Sequence, residues 1–335
     1  MQSNEKIIIG IDVSKKTLDI CLLSKDKSDC IQLKSDTSVI RKYFNKIIKK
    51  FGGPIYVGLE NTGFYNFHLY QALEGLNVNV YIFNPLHLNK SMGMLRGKTD
   101  KVDANRIANY LKINLNELQP SQLPSENFRL LKMLFSKRHL YVEHLKSVTT
   151  SNKEIRHCFG EKKSKMVIKK DDNLIKIYKK LIKEIENEMM EIISQDEALH
   201  LKVQQAMSVP GVGKVLAIYL TIKTNGFTQL TDSRKLACFA GVVPFQTQSG
   251  TSLNKRPKVS YMADKQMKRL LHMAAIRVVQ LEGDLKDYFI RKVKEGKNKM
   301  SVINAIRNKI VARICSCINN EKMYEKKFKE NLVLS

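Results

Sequence analysis

Two aspartates lie three residues apart in a chain that is otherwise rich in basic residues. The stretch "GKTDKVDANRIANYLK" (97–112) carries Asp100 and Asp103, whereas the whole chain has 58 Lys+Arg against 32 Asp+Glu. Side chains at positions i and i+3 share a helix face, so these two carboxylates could hold one metal ion together. The alternative is helix capping, because negative charge also stabilises a helix N-terminus.

Two further acids stand at the ends of predicted strands. Asp12 lies in "IGIDVS", and Glu60 ends "YVGLE" just before "NTG". Taken singly, each is typical of a turn. Asp19 is also on a strand, but no partner in the sequence fixes it near the others, so we expect it to lie apart.

The elements around these acids predict an α/β fold. Apolar, β-branched runs predict strands at 6–12, 17–23, 30–35, 55–60 and 78–83, with helical stripes at 38–50 and 64–75 and a helix carrying Asp100 and Asp103. Three meandering strands followed by alternating helices and strands predict a mixed sheet covered by helices. This order matches the RNase H-like fold, in which the first and fourth strands are neighbours and a late helix packs beside their ends.

In that fold the four acids would converge. Crowded carboxylates repel one another, and Mg²⁺ (or Mn²⁺) relieves the repulsion while binding a phosphodiester. Two such ions about 4 Å apart stabilise the attacking and leaving oxygens of an in-line displacement. The sequence therefore predicts a phosphodiester-cleaving metal site at Asp12, Glu60, Asp100 and Asp103.

The rest of the chain is predicted to be mainly helical. Two apolar stripes between 126 and 195, broken near 157–172, predict an antiparallel coiled-coil hairpin. The stretch "SVPGVGKVLAIYLTI" (208–222) resembles a helix-hairpin-helix, in which Gly211, Gly213 and Lys214 would contact a DNA phosphate. An amphipathic helix is expected from 264 to about 280.

Charge is the most informative feature of the composition. A net charge of +26 predicts a polyanionic partner, with nucleic acid the commonest. No apolar run approaches the roughly 18–20 residues that span a bilayer. An anionic membrane surface is the other candidate partner, but no basic helix carries the large apolar face that would favour it, so no membrane partner is expected. The 6 Cys and 7 His show neither zinc-type spacing nor a disulfide framework, so we expect unpaired cysteines in a reduced cytoplasm.

Four stretches together resemble the DEDD insertion-sequence transposases, a family that includes Piv-type DNA invertases and bridge-RNA-guided recombinases. They are "GIDVSKKTLDICLL", "VGLENTGFYNFHLYQAL", "KTDKVDANRIANYL" and "PGVGKVLA…FAGVVPFQTQSG". The resemblance implies a RuvC-like domain (1–118), a coiled coil (119–200) and a transposase domain (201–335). It also implies that Asp12, Glu60, Asp100 and Asp103 are the family's acids.

The same resemblance assigns a nucleophile. Ser249 in "QTQSG" matches the family's serine, which attacks DNA and forms a phosphoserine link. The resemblance further implies a guide RNA, a homodimer or homotetramer, and sites composed from two protomers. By itself Ser249 is typical of a turn, and Thr251 and Ser252 compete with it. Five basic side chains near Ser249 either contact phosphates or form a solvated basic surface: Lys255, Arg256, Lys258, Lys268 and Arg269.

Three other functions remain open on the sequence. A metal-dependent nuclease or Holliday-junction resolvase would use water as nucleophile and leave Ser249 incidental. A non-catalytic nucleic-acid binder would not need the acids. A sugar-kinase-like ATPase would want small residues after Asp12, where Lys15 and Lys16 stand instead.

Overall fold

The chain forms two compact units in a computed structural model that describes residues 6–24, 27–61, 63–85, 88, 91, 100–249 and 253–325. The first unit comprises Met1–Ser125 and the second Glu126–Ser335. The three-domain division expected from the sequence stays a prediction.

A mixed sheet organises the first unit. Its strands are β1 (Ile7–Val13), β2 (Thr17–Ser24), β3 (Lys27–Lys34), β4 (Ile55–Glu60) and β5 (Asn79–Phe83). Within the described residues the sheet is five-stranded with the order β3-β2-β1-β4-β5. β1 to β3 pair antiparallel, whereas β4 lies parallel to β1 and to β5. The expected RNase H-like arrangement, with the first and fourth strands adjacent, is confirmed.

Helices cover both faces of this sheet. They are α1 (Thr37–Phe51), a 3₁₀ turn (Gly63–Asn66), α2 (Phe67–Leu73) and α3 (Asp100–Asn114). Alternation along β1 sends Ile7, Ile9 and Ile11 into one core with α1 and α2. Ile8 packs on the opposite face, where Ile107 of α3 is also buried. The face of β1 that carries Asp12 is therefore the face covered by α3.

A disulfide joins two neighbouring strands of this sheet. Cys21 of β2 lies opposite Cys30 of β3, and their sulfurs are bonded. The expectation of unpaired cysteines is wrong for this pair. A spacing of nine residues does not reveal a disulfide, because only the register of the hairpin brings the two side chains face to face.

The second unit begins with a long helical hairpin, α4 (Glu126–Ser194), whose backbone leaves helical geometry at Gly160 (φ 74°, ψ 162°). The two arms pack against each other on either side of that residue. Arg138 pairs with Glu186 at 2.6 Å, and the rings of Tyr141 and Tyr178 lie 5.9 Å apart. The antiparallel hairpin is confirmed, and its reversal falls within the expected break.

Shorter elements complete this unit. They are α5 (Glu197–Ser208), α6 (Lys214–Lys223), α7 (Ser233–Phe239), β6 (Phe245–Ser249), β7 (Leu253–Lys258), α8 (Lys265–Val278), α9 (Asp284–Lys294) and α10 (Lys299–Asn319). α10 is at the centre of the core, since Ile306, Ile310 and Ile314 are fully buried. In the described part of the chain, no helix is long and apolar enough to cross a membrane.

Candidate active site

Asp12 lies where β1 meets the first turns of α3. Two residues earlier, Gly10 faces the same helix, and a Cβ there would stand 2.1 Å from the Ala104 carbonyl oxygen and 2.4 Å from the Ala108 nitrogen. The helix backbone therefore rests directly on the strand. Because side chains two residues apart share a strand face, Asp12 projects to the same side, towards the start of α3.

Glu60 reaches the same edge of the sheet from the neighbouring strand. β4 is parallel to β1, so both strands end on the same side. Gly58, two residues before Glu60, packs against Phe83 and against Ile107 and Leu111 of α3. Glycines at positions 10 and 58 thus let one helix approach both strands closely.

Asp100 and Asp103 occupy the first turn of α3. Asp100 is exposed, and Asp103 is half-buried and accepts a hydrogen bond from Arg106 at 2.8 Å. The Arg106 guanidinium offsets the negative charge of the Asp103 carboxylate. An added cation would compete with the guanidinium for that carboxylate.

Electrostatics show that the four acids lie close together. Burial, followed in order of effect by the negative charges of Asp100, Asp103 and Glu60, raises the pKa of Asp12 from its ordinary 3.8 to about 6. Among the described residues, however, no three acids, histidines or cysteines are grouped tightly enough to hold a metal ion as they stand. The oxygen donors suit a hard divalent cation, but the side chains have to draw together to share one.

Asp19 adds a fifth carboxylate to this neighbourhood. It stands directly opposite Asp12 in the β1–β2 ladder, is 1% exposed, and accepts hydrogen bonds from Gln32 at 3.1 and 3.3 Å. The expectation that Asp19 lies apart from the other acids is wrong. Alternation along β2 indicates the face of Asp19, but its partner depends on the register with β1, which the sequence leaves open.

Asn66 is another residue that sequence reasoning missed. It is fully buried, and its amide donates to the Glu60 carbonyl at 2.9 Å and to the Tyr70 hydroxyl at 3.1 Å. A buried asparagine that bonds the last residue of β4 fixes the backbone from which the Glu60 side chain leaves. No periodicity in the sequence distinguishes it from a surface asparagine.

Ser249 is in the second unit, at the end of β6. There it pairs with Leu253 of β7, so the candidate nucleophile stands beside the tip of a two-stranded hairpin. Its side chain lies outside the described residues, as do those of Lys255 and Arg256 and the whole of Thr251 and Ser252.

The remaining predicted DNA contacts have mixed surroundings. A Cβ at Gly211 (φ 86°) would be 2.6 Å from the Ala274 carbonyl oxygen, so close packing against α8 explains this glycine without DNA. Gly213 and Lys214 are exposed at the start of α6. Lys258 is exposed, Lys268 is half-buried, and Arg269 pairs with Glu143 at 3.2 Å.

An RNase H-like sheet with clustered carboxylates at the ends of β1 and β4 defines a class of nucleic-acid-processing enzymes that includes transposases. A DEDD-type transposase model matches residues 9–157, and the model described as "Transposase IS116/IS110/IS902 family" matches residues 203–289. The chain belongs to this transposase family and is an enzyme that cleaves and rejoins DNA.

Two relatives align over nearly the whole chain. The pilin gene-inverting protein of Moraxella lacunata is 25% identical over 338 residues, covering 97% of this chain and 99% of the relative. The pilin gene-inverting protein of Moraxella bovis is 24% identical with the same coverage.

Proposed function

We propose that this transposase joins DNA strands through a covalent serine intermediate, with Ser249 as nucleophile and with Asp12, Glu60, Asp100 and Asp103 holding Mg²⁺ (or Mn²⁺). The observation that supports the metal assignment is the raised pKa of Asp12, about 6, which comes from its burial and from repulsion by Asp100, Asp103 and Glu60. Such a cluster disfavours four negative charges together and therefore favours a divalent cation. When bound, the ion would stabilise negative charge on the phosphate oxygens.

The protein's own groups carry the strand exchange. The Ser249 oxygen attacks the phosphorus of one DNA strand, an O–P bond forms, and the bond to a deoxyribose oxygen breaks. An ionised carboxylate accepts the hydroxyl proton, and the departing oxygen takes up a proton to become a free hydroxyl. A deoxyribose hydroxyl of the second strand then attacks the phosphoserine, which joins the strands and restores the serine.

Substrate choice belongs to the same proposal. DNA ends of an insertion sequence and a target would be brought together by a homodimer or homotetramer, directed by an element-encoded guide RNA. Support for the RNA comes from the net charge of +26 and from the family resemblance. The two relatives are named for inverting a pilin gene, so inversion between two sites is a further outcome open to this chemistry. We also propose that the protein is cytoplasmic, because a transposase must be in the compartment that holds its DNA.

A covalent adduct tests the nucleophile. A suicide substrate containing labelled element-end DNA is incubated with protein, flanking RNA and Mg²⁺, and the products are run on denaturing gels with and without protease. We expect a protease-sensitive adduct that disappears in Ser249→Ala and persists in the matched controls Thr251→Ala and Ser252→Ala.

The same gels separate the second candidate, a metal-dependent nuclease or junction resolvase. Cutting without an adduct, unaffected by Ser249→Ala but lost in Asp103→Asn, would establish hydrolysis by water. Full cutting activity in Asp12→Asn would contradict both proposals, and DNA binding without any cutting by the wild-type protein would indicate a non-catalytic binder. Omitting the RNA tests guidance separately, because unchanged adduct formation at the same site would exclude it.

A further inference from the structure

Two large aromatic side chains are exposed beside the carboxylate cluster. Phe64 and Tyr65 are 50% and 49% exposed, and they lie in the 3₁₀ turn that follows Glu60. Nearby Leu69 and Leu73 of α2 are buried in the core, so the helix that follows the turn supplies the packing. The two rings therefore leave much of their apolar surface in water, at a cost of about 25 cal/mol per Å².

The turn that carries these rings is anchored to the site. Buried Asn66 immediately follows Tyr65 and donates its hydrogen bond to the Glu60 carbonyl at 2.9 Å. The lengths of that side chain, that bond and one Cα–Cα step place the Tyr65 Cα within about 10 Å of the Glu60 carbonyl oxygen. The aromatic pair thus has a fixed position next to one of the four acids.

A nucleic-acid strand supplies flat partners at that distance. Bases follow one another at about 3.4 Å along a stacked strand, so about 10 Å corresponds to two or three nucleotides. Aromatic side chains stack on bases of any sequence, because every base has a π face. Lys15 and Lys16, exposed just after Asp12, supply positive charge for the adjoining phosphates.

We propose that Phe64 and Tyr65 stack on unpaired bases of the DNA strand beside the phosphodiester that reacts at the carboxylate cluster. The cleaved position rests on the function proposed above, whereas the stacking does not. Splayed bases held on this turn keep the strand backbone turned towards Asp12 and Glu60. A protein partner is the other occupant that could cover two exposed rings, and the experiment below distinguishes it.

Binding is measured on the full-length protein in EDTA, so no cutting is required. The probes are a fluorescein-labelled single strand and an abasic strand of equal length, which has the same phosphates but no bases. The variants are Phe64→Ser/Tyr65→Ser and Phe64→Leu/Tyr65→Leu, and the matched control is Phe159→Ser, at a residue 64% exposed in the second unit. A 2-aminopurine strand reports stacking through quenching of its fluorescence.

We expect both double variants to lose roughly ten-fold or more in affinity for the base-containing strand and to lose the 2-aminopurine quenching. Affinity for the abasic strand should be unchanged, and the control should behave as wild type. Equal losses on both strands, no loss, or rescue by leucine would overturn the proposal. So would a change of oligomeric state in sedimentation, which would assign the rings to a protein interface. Because Ser249 and divalent metal play no part in these measurements, failure of the proposed chemistry leaves their outcome unaffected.

Discussion

At the scale of single residues, the informative group is Asp12. Its carboxyl is partly buried among like charges, and both effects raise its pKa in the folded protein to about 6. The chain keeps this unfavourable charge at the end of a buried strand, where an uncharged residue would fold more easily. Such a location is typical of functional carboxylates.

Removing one neighbouring charge should lower the pKa of Asp12. In metal-free protein we expect Asp103→Asn to lower it by several tenths of a pH unit or more, because one source of repulsion disappears. Carbon-detected NMR of the carboxyl groups measures this directly. Asp29→Asn is the control, since Asp29 lies across from Leu22, on the opposite face of the sheet, and acts instead on the raised pKa of Tyr43. An unchanged pKa of Asp12 in Asp103→Asn would show that the charge of Asp103 does not act on Asp12.

The same group makes stability depend on pH. The folded pKa of about 6 exceeds the ordinary 3.8, so the stabilising contribution of the protonated form is present below about pH 4 and is lost as the pH rises through about 6. Asp12→Asn cannot ionise, so in EDTA its stability relative to wild type should increase over that range. Urea denaturation at several pH values tests this. A constant difference between the two proteins would contradict the raised pKa.

At the scale of elements, the site depends on how closely α3 lies against the sheet. Gly10→Ala would place a methyl group 2.1 Å from the Ala104 carbonyl oxygen, and backbone atoms cannot yield as a flexible side chain does. We expect a loss of at least about 1–3 kcal/mol in unfolding free energy, together with loss of cutting. Gly213→Ala is the stability control, because no atom lies within 4 Å of its added methyl group. Equal stability of the two variants would show that α3 can move away from β1 without cost.

Asp264 holds together the start of α8 and the base of the β6–β7 segment, whose first strand ends at Ser249. Asp264 caps α8 through Met267 and also binds the Tyr219 hydroxyl and the Lys223 ammonium at 2.8–3.0 Å. Its backbone nitrogen donates to the Phe239 carbonyl, which closes the base of the β6–β7 segment.

Asp264→Ala leaves the buried Tyr219 hydroxyl without this acceptor, so we expect a loss of roughly 2–4 kcal/mol in urea denaturation. Asp232→Ala removes an exposed cap of α7 and should cost about 1 kcal/mol. Similar losses of unfolding free energy in the two variants would show that Asp264 contributes no more than an ordinary helix cap.

At the scale of the whole molecule, the net charge of +26 governs association with DNA. Each phosphate neutralised by the protein contributes about −0.9 to the slope of log affinity against log salt concentration. We expect Lys214→Gln, at the exposed start of α6, to make that slope shallower by about 0.9. Lys292→Gln is the charge-matched control, because Lys292 pairs with Glu295 at 2.6 Å. Equal changes in slope would indicate a general charge effect without a specific contact at Lys214.

The sequence by itself determined the elements and the class of protein. The apolar, β-branched run "IIIGIDV" and the helical stripe around Phe44 reflect solvation of residues close together in the chain, so they can be recognised without tertiary structure. The strand order follows from the succession of these elements, because few topologies accommodate it. Four acids at strand ends and at one helix start were therefore expected to converge.

Only the tertiary structure decided how partners from distant parts of the chain meet. The Cys21–Cys30 disulfide and the placement of Asp19 opposite Asp12 both follow from strand register. A shift of one residue would reverse every side chain, and the register is set by the whole core. The backbone anchor made by Asn66 and the contact of Gly10 with α3 likewise depend on packing between distant segments, for which the local sequence contains no signal.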